Sequence, residues 1–152
     1  MESGEPHRPR SFTFALSLHV THPSIDPEEV TWALRLTPQR ADRVGEPRRG
    51  PKGRELGGVY RAMHWYCDVP HGDEAGLVET LKAHLDLLEP HQSFLRSMVS
   101  EGGRIYYFIG WFATDRSGGE TLDWETLERL ANLRISLSFD VYGDCGESQG
   151  GQ

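Results

Sequence analysis

Three stretches of the chain alternate between hydrophobic and polar residues, which is the pattern of strands that bury one face. They cover residues 12–20, 59–69 and 135–142. A fourth stretch, residues 105–113, is apolar on both sides, as expected of an interior strand. We therefore predict four strands. In the second of them the expected core face holds Val59, Arg61, Met63, Trp65, Cys67 and Val69.

Helix-start signals follow the first and third strands. Asp26 is a predicted N-cap with Pro27 at the first helical position and Glu29 closing a capping box. This helix should end before Pro38, because the residue that precedes a proline disfavours helical geometry. A capped helix with the same arrangement is predicted to begin at Asp123.

A longer helical region separates the second and third strands. Its apolar residues recur every three or four positions, at Leu77, Leu81, Leu85 and Leu88. Pro90 should interrupt it before a second helical segment over residues 94–99. The predicted order is therefore β-α-β-α-β-α-β.

Two βαβ-like halves joined by a helix predict an α+β fold. We expect a ferredoxin-like sandwich, with helices on one face of a four-stranded, mainly antiparallel sheet. One domain should cover residues 11–142. Residues 1–10 and 143–152, which are rich in glycine, proline and polar residues, are expected to be a loose N-terminal tail and a flexible C-terminal tail.

Basic residues are concentrated in one segment. The chain has a formal net charge of -7, but residues 35–61 hold eight basic and three acidic residues, a net charge of +5. Most of this segment is a predicted long loop, residues 39–58, and loops of this length in compact domains are usually functional or disordered. The candidate binding residues in the loop are Arg40, Arg43, Arg48, Arg49, Lys52 and Arg54.

Composition excludes several classes of protein. No apolar run approaches the roughly 18 residues of a membrane-spanning helix, and residues 1–10 do not resemble a secretory signal. We therefore expect a cytoplasmic protein without a membrane partner. The acidic balance makes nucleic acid an unlikely partner. Cys67 and Cys145 are expected to be free thiols.

Several segments resemble a bacterial family known as domain of unknown function 4279. They are the alternating first strand, residues 26–31, residues 36–38 with the basic glycine-rich loop, Trp65, residues 88–90 and residues 133–142. The resemblance supports the predicted fold. It implies a small, often stand-alone protein, similar in scale to immunity proteins and other protein-binding accessory proteins.

Aromatic residues are predicted on the second face of the sheet. Tyr106 and Phe108 should lie there with His64 and Asp140, and they are accompanied by Tyr60, Tyr66, Phe112 and Tyr142. Such a face can stack nucleic-acid bases, or it can bind a protein or a second copy of the chain. The acidic charge favours the protein. Alternatively, a helix or the basic loop covers this face.

Metal binding and catalysis have weaker support in the sequence. His64, Cys67 and His71, with His22, contain metal-ligating atoms, but Cys67 and His64 should point to opposite sides of one strand. A nucleophilic triple of Cys67 or Cys145 with His64 and Asp140 matches no known catalytic motif. We therefore expect no metal, no cofactor and no catalytic residues.

These observations favour a non-enzymatic protein-binding module that uses the aromatic face, the basic loop or both. An immunity-like role against a bacterial effector is the specific version, and the acidic charge would suit a basic partner. A homodimer would also cover the aromatic face. The first alternative is a binder of small anions or nucleic acid through the arginine-rich loop. An enzyme is the third class.

Overall fold

Five strands form the main sheet of the computed structural model, which describes residues 11–143. In chain order the strands are β1 (Phe12–His22), β2 (Arg40–Asp42), β3 (Pro47–Arg49), β4 (Glu55–Val59), β5 (Met63–Asp68), β6 (Arg104–Ala113) and β7 (Ile135–Tyr142). The helices are α1 (Pro27–Leu34), α2 (Leu77–Leu88), α3 (Gln92–Ser100) and α4 (Trp124–Asn132). The order in the main sheet is β2-β5-β1-β6-β7, and β3 pairs with β4 in a separate hairpin.

The α+β class and the mostly antiparallel sheet are confirmed. Of the neighbours in the main sheet, only β6 and β7 run parallel, and α4 connects them as a βαβ unit. The prediction of four strands is wrong, because β2 adds a fifth at one edge. The ferredoxin-like arrangement is not confirmed, since β1 and β5 are antiparallel and do not form the first predicted βαβ half.

The predicted loop over residues 39–58 contains β2 and the β3–β4 hairpin. The predicted strand over 59–69 is shorter, because Val59 ends β4 and the new strand begins at Met63. Val59 and Arg61 are consequently exposed, and their placement in the core was wrong. Every residue of the hairpin strands is exposed, so no alternation of burial marks them.

The hydrophobic core lies on one face of the main sheet, between the strands and the four helices. Alternate residues of β1 are buried there, and the facing strands contribute Trp65, Tyr107 and Ile109. From the helices, Val30, Leu81, Leu95 and Leu130 are among the buried residues. Within residues 11–143 the four helices therefore cover one face of the sheet, as predicted.

Local signals in the sequence fix the ends of the helices. Asp26 caps α1 by accepting a hydrogen bond from the Glu28 amide, and Asp123 caps α4 through the Thr126 amide. The expected participation of Glu29 in a capping box is absent from the cap contacts of α1. Pro90 lies in a 3-10 turn, Glu89–His91, which separates α2 from α3 as expected.

Within residues 11–143, no helix has the length and apolar character needed to cross a bilayer. The predicted N-terminal tail, residues 1–10, lies outside the described residues. The same holds for the predicted C-terminal tail apart from Gly143.

Candidate functional site

The second face of the main sheet carries no helix among the described residues, and we call it the open face. Three of its aromatic residues are direct cross-strand neighbours: His19 on β1 faces Tyr66 on β5 and Tyr106 on β6. The ring centroids of His19 and Tyr66 are 5.0 Å apart, and those of His19 and Tyr106 are 4.9 Å apart. The planes differ by only 13° and 11°. These three residues form a continuous aromatic row across the sheet.

The rings of the aromatic row stand up from the sheet. Parallel rings lying side by side in one plane would collide at their edges at these separations, whereas offset stacking fits them well. Each ring is half-buried by its neighbours. The row therefore presents ring edges to an incoming partner, and the central His19 has both of its faces in contact.

Neighbouring side chains extend the aromatic row. The Phe108 ring meets His19 edge-on at a centroid distance of 5.9 Å, and the Arg104 guanidinium lies 4.7 Å from the centre of the Tyr106 ring. The His19 Nε2 is 2.8 Å from the Ser17 hydroxyl. Burial lowers the pKa of His19, with Asp68 acting against this shift and His64 adding to it. His19 is consequently neutral at pH 7, which favours an apolar contact over a charged one.

A second pair of stacked rings lies at the other end of the open face. The Phe112 and Tyr142 ring centroids are 5.1 Å apart with an interplanar angle of 9°. The Tyr142 hydroxyl donates to the Asp140 carboxylate over 2.6 Å, and this bond raises the pKa of Tyr142. The Asp140 carboxylate therefore already has a hydrogen-bond partner on its own strand, β7.

The β3–β4 hairpin, residues 47–59, projects beside the open face, and we call it the basic arm. Tyr60 attaches it to the main sheet. The Tyr60 hydroxyl accepts from Arg40 Nη2 at 2.7 Å and from the Arg49 amide at 3.1 Å, and it donates to the Arg49 carbonyl. The Tyr60 ring also lies edge-on to His64 of β5, at a centroid distance of 6.4 Å. The arm is therefore tied to the β2–β5 side of the open face.

The six basic candidates divide into two groups. Arg40 is paired with Asp42, which raises the pKa of Arg40. Arg43 forms ion pairs with Asp26, Glu28 and Glu46. The other four are exposed and form no ion pair with the described part of the chain: Arg48, Arg49, Lys52 and Arg54. Only this second group is free to bind an acidic partner.

His64 and Asp140 share the open face but do not meet. Two strands lie between them, which corresponds to about 14 Å across the sheet. Their register positions on β1, Thr21 and Ala15, differ by roughly 20 Å along the strand. The catalytic combination of His64 with Asp140 is therefore not formed.

Cys67 points into the core, as predicted, and is a free thiol. Burial raises the pKa of Cys67 to about 11, so the thiol is protonated at pH 7 and is a weak nucleophile. Cys145 lies outside the described residues. A cysteine-based triple with His64 is thus not assembled from the described residues.

The histidines considered as metal ligands have other partners. Both ring nitrogens of His22 are used: Nδ1 accepts from the amides of Ser24 and Ile25, and Nε2 is 3.0 Å from Glu101. His71 Nε2 lies 3.0 Å from the Phe14 carbonyl oxygen. Over residues 11–143, no group of three or more metal-ligating side chains comes together.

Sequence reasoning did not single out His19, although it is the centre of the aromatic row. The signal was present, because His19 occupies a polar-face position in the alternating first strand. The central position of His19 depends on how the neighbouring strands are aligned with β1. Only the pairing of β1 with both β5 and β6 places two tyrosines directly beside it.

Comparison with known proteins gives one family. The family described as Domain of unknown function (DUF4279) matches residues 11–144, a range that contains every element described above. No curated protein matches the chain, and no solved structure matches it.

Proposed function

The chain belongs to the DUF4279 family, and from that starting point we propose that it is a non-enzymatic protein-binding module. Its docking surface is the open face together with the basic arm. The observation that carries this proposal is the pre-stacked aromatic row, which is half-buried and has no helix over it among residues 11–143. The basic arm, whose four cations form no ion pair within the same residues, is attached to the β2–β5 side of this face.

The aromatic row suits a protein contact because its geometry is already fixed. Stacked side chains lose little conformational freedom when a partner covers them, which reduces the entropic cost of association. Tyrosine is also enriched in protein interfaces, where its ring packs and its hydroxyl keeps a polar partner. Tyr66 and Tyr106 both have this character.

The basic arm determines the chemistry of the partner at the contact. Arg48 and Arg49 can each form bidentate hydrogen bonds with carboxylates. The partner therefore presents acidic side chains opposite the arm and apolar groups opposite the aromatic row. Acidic side chains are required only opposite the basic arm, so a partner with a basic overall charge can also satisfy this requirement.

A nucleic-acid partner, the first alternative, has less support. Bases stack on the exposed faces of aromatic rings. In the aromatic row, neighbouring rings occupy both faces of His19 and one face of each tyrosine, and Arg104 lies over the Tyr106 ring. Arg40 and Arg43 are neutralised by their own carboxylates. The net charge of -7 adds long-range repulsion of a polyanion.

The specific version of the proposal is an immunity-like or accessory protein of the bacterial cytoplasm, which acts by binding an effector protein. A homodimer through the open face is the competing version. Light scattering on the purified protein distinguishes the two, because a dimer has twice the mass of the chain, and the dimer should dissociate when Tyr106 and Phe108 are both replaced by alanine.

Affinity capture from the native lysate tests the docking surface. The immobilised proteins are the wild type, Arg48→Glu/Arg49→Glu and Tyr106→Ala/Phe108→Ala, with captured proteins quantified by mass spectrometry. We expect one protein at a near-stoichiometric level with the wild type. Each double variant should reduce its recovery at least tenfold, because interface residues of these types commonly contribute more than 1 kcal/mol each.

Two matched controls make the capture specific to this surface. Arg116→Glu reverses one exposed charge far from the basic arm, and Trp124→Ala removes a 69% exposed aromatic side chain from the helical side. Both controls should retain the partner. Equal loss in the controls, or co-purification of nucleic acid in place of a protein, contradicts the proposal.

A further inference from the structure

A cavity of about 440 Å³ opens on the helical side of the sheet, between α2 and the connection that leads into it from β5. Its volume is in the range of small-molecule sites. The lining is mostly apolar. Residues that shape it are Pro70 and His71 from the connection, and Thr80, Ala83, His84 and Leu87 from α2.

Thr80 places an unsatisfied polar atom in this lining. Its side chain is buried, with 8% relative exposure, and the Oγ1 atom has no hydrogen-bond partner among residues 11–143. The Gly76 carbonyl, one turn earlier in the chain, already accepts from the Thr80 amide. The Oγ1 atom lies just beneath the cavity surface, and rotation of the short side chain turns it towards the cavity. Because an unpaired buried hydroxyl is costly, a molecule that bonds to it after this rotation gains a hydrogen bond at little cost to the protein.

His84 is one helical turn after Thr80 and therefore lies on the same side of α2. Its Nδ1 is 2.6 Å from the Tyr107 hydroxyl, and neither group has another side-chain hydrogen-bond partner among residues 11–143. The phenol must donate in this bond to avoid leaving its own hydrogen buried and unpaired. The proton of the neutral imidazole is then on Nε2, which has no partner in the described part of the chain and is a free donor.

The charges around the cavity disfavour an ionic ligand. None of the described lining residues is lysine or arginine. The Glu79 carboxylate accepts from the Gly76 amide at 2.8 Å and is committed to capping α2. Burial lowers the pKa of His84 to about 4, so its ring carries no charge at pH 7.

We propose that this cavity binds a small, neutral, mostly apolar molecule whose hydrogen-bond acceptor, such as a carbonyl oxygen, lies between the Thr80 hydroxyl and His84 Nε2. The site is separate from the docking surface, because the cavity is on the helical side and the aromatic row is on the open face. Its test is therefore independent of the proposed function.

Propiophenone is a suitable probe, with propylbenzene as the analogue that lacks the carbonyl and benzoate as the charged analogue. Amide NMR spectra of the full chain are recorded during titration with each compound to millimolar concentration. We expect saturable shifts around Thr80, Ala83 and His84 with propiophenone, weaker binding of propylbenzene, and no binding of benzoate.

Substitutions in the cavity lining test whether propiophenone binds at this cavity. Ala83→Phe fills it from an exposed position and should abolish binding, whereas Ala83→Ser leaves the space open and should preserve it. Thr80→Val removes the hydroxyl at constant shape. This substitution should weaken the binding of propiophenone about fivefold, which corresponds to one hydrogen bond of about 1 kcal/mol. The affinity for propylbenzene should not change.

Three results overturn the proposal. The first is the absence of saturable shifts with propiophenone, and the second is binding that survives Ala83→Phe in a folded variant. The third is an equal loss of affinity for propiophenone and propylbenzene in Thr80→Val. Circular dichroism establishes that each variant is folded before it is titrated, and only folded variants are compared.

Discussion

His84 is a buried imidazole held neutral by its surroundings, and this makes the stability of the protein depend on pH. Its pKa falls from 6.5 to about 4 on folding because burial penalises the charged ring. Between these values the unfolded chain binds the proton more tightly. The free energy of unfolding is therefore at its full value above pH 6.5, where His84 is neutral in both states. It decreases as the pH falls towards 4, by about 3 kcal/mol in total.

Urea unfolding at pH 7 and at pH 4.5 measures this loss. His84→Gln removes the titrating group and should flatten the dependence over that interval. His19 acts in the same direction, because burial lowers its pKa also. Unchanged pH dependence in His84→Gln would show that the slope has another source.

Thr80 is the residue at which removing a polar atom should stabilise the protein. Thr80→Val keeps the shape of the side chain and deletes a buried hydroxyl that lacks a partner within residues 11–143. We expect the free energy of unfolding to rise by about 1 kcal/mol. Chemical denaturation at pH 7 measures it, and Thr126→Val is the contrasting variant, because the Thr126 hydroxyl donates to Asp123 and its loss should destabilise.

His22 has the opposite character, since every polar atom of its ring is used. Its Nδ1 accepts from the Ser24 and Ile25 amides at the end of β1, and its Nε2 reaches Glu101. His22→Ala should cost about 2 kcal/mol of unfolding free energy, because two backbone amides lose their acceptor in a buried position. Glu101→Gln should cost much less, since that amide can still accept from Nε2 and the side chain is exposed.

At the scale of elements, the sequence predicts those whose signals are local. The caps at Asp26 and Asp123, the interruption at Pro90 and the alternation in β1 each depend on a few neighbouring residues, and all are observed. β2 has only three residues, which is too short for alternation to be recognised. The hairpin strands are exposed on both sides, so the hydrophobic pattern does not distinguish them from a loop.

The candidate site shows the same division between local and distant information. The two-residue period of a strand correctly put Tyr106 and Phe108 on one face of β6, opposite the core. Pairing between strands could not be predicted in this way, so the central position of His19 was missed. Arg43 is neutralised by Asp26 and Glu28 of a preceding segment, and only the folded chain brings these groups together.

The basic arm should be the least protected element of the described fold. All residues of β3 and β4 are exposed, and the hairpin packs no side chain into the core. Native-state hydrogen exchange should therefore be fast in β4 and slowest in β1 and β6, which lie in the interior of the main sheet. Protection of β4 equal to that of β1 in the isolated protein would contradict an arm that is free to adapt to a partner.

For the whole molecule, the main sheet separates two surfaces that should behave independently. Arg48→Glu lies on the basic arm and Thr80→Val lies on α2 at the cavity, with no shared partner. Their effects should add to within about 0.5 kcal/mol in unfolding free energy. A double-mutant cycle by chemical denaturation measures this, and propiophenone binding should be unchanged by Arg48→Glu.

The position of β1 in the sheet has a consequence for synthesis on the ribosome. β1 is the first of the described strands, yet it lies between β5 and β6, and the β6 partner is made only after all of α2 and α3. Chain segments emerge in order, so β1 must wait with one edge unpaired and its apolar face only partly covered. Such distant pairing slows folding. The nascent chain is thus exposed to misassociation until β6 has left the exit tunnel, and a chaperone that shields extended apolar segments would act during that interval.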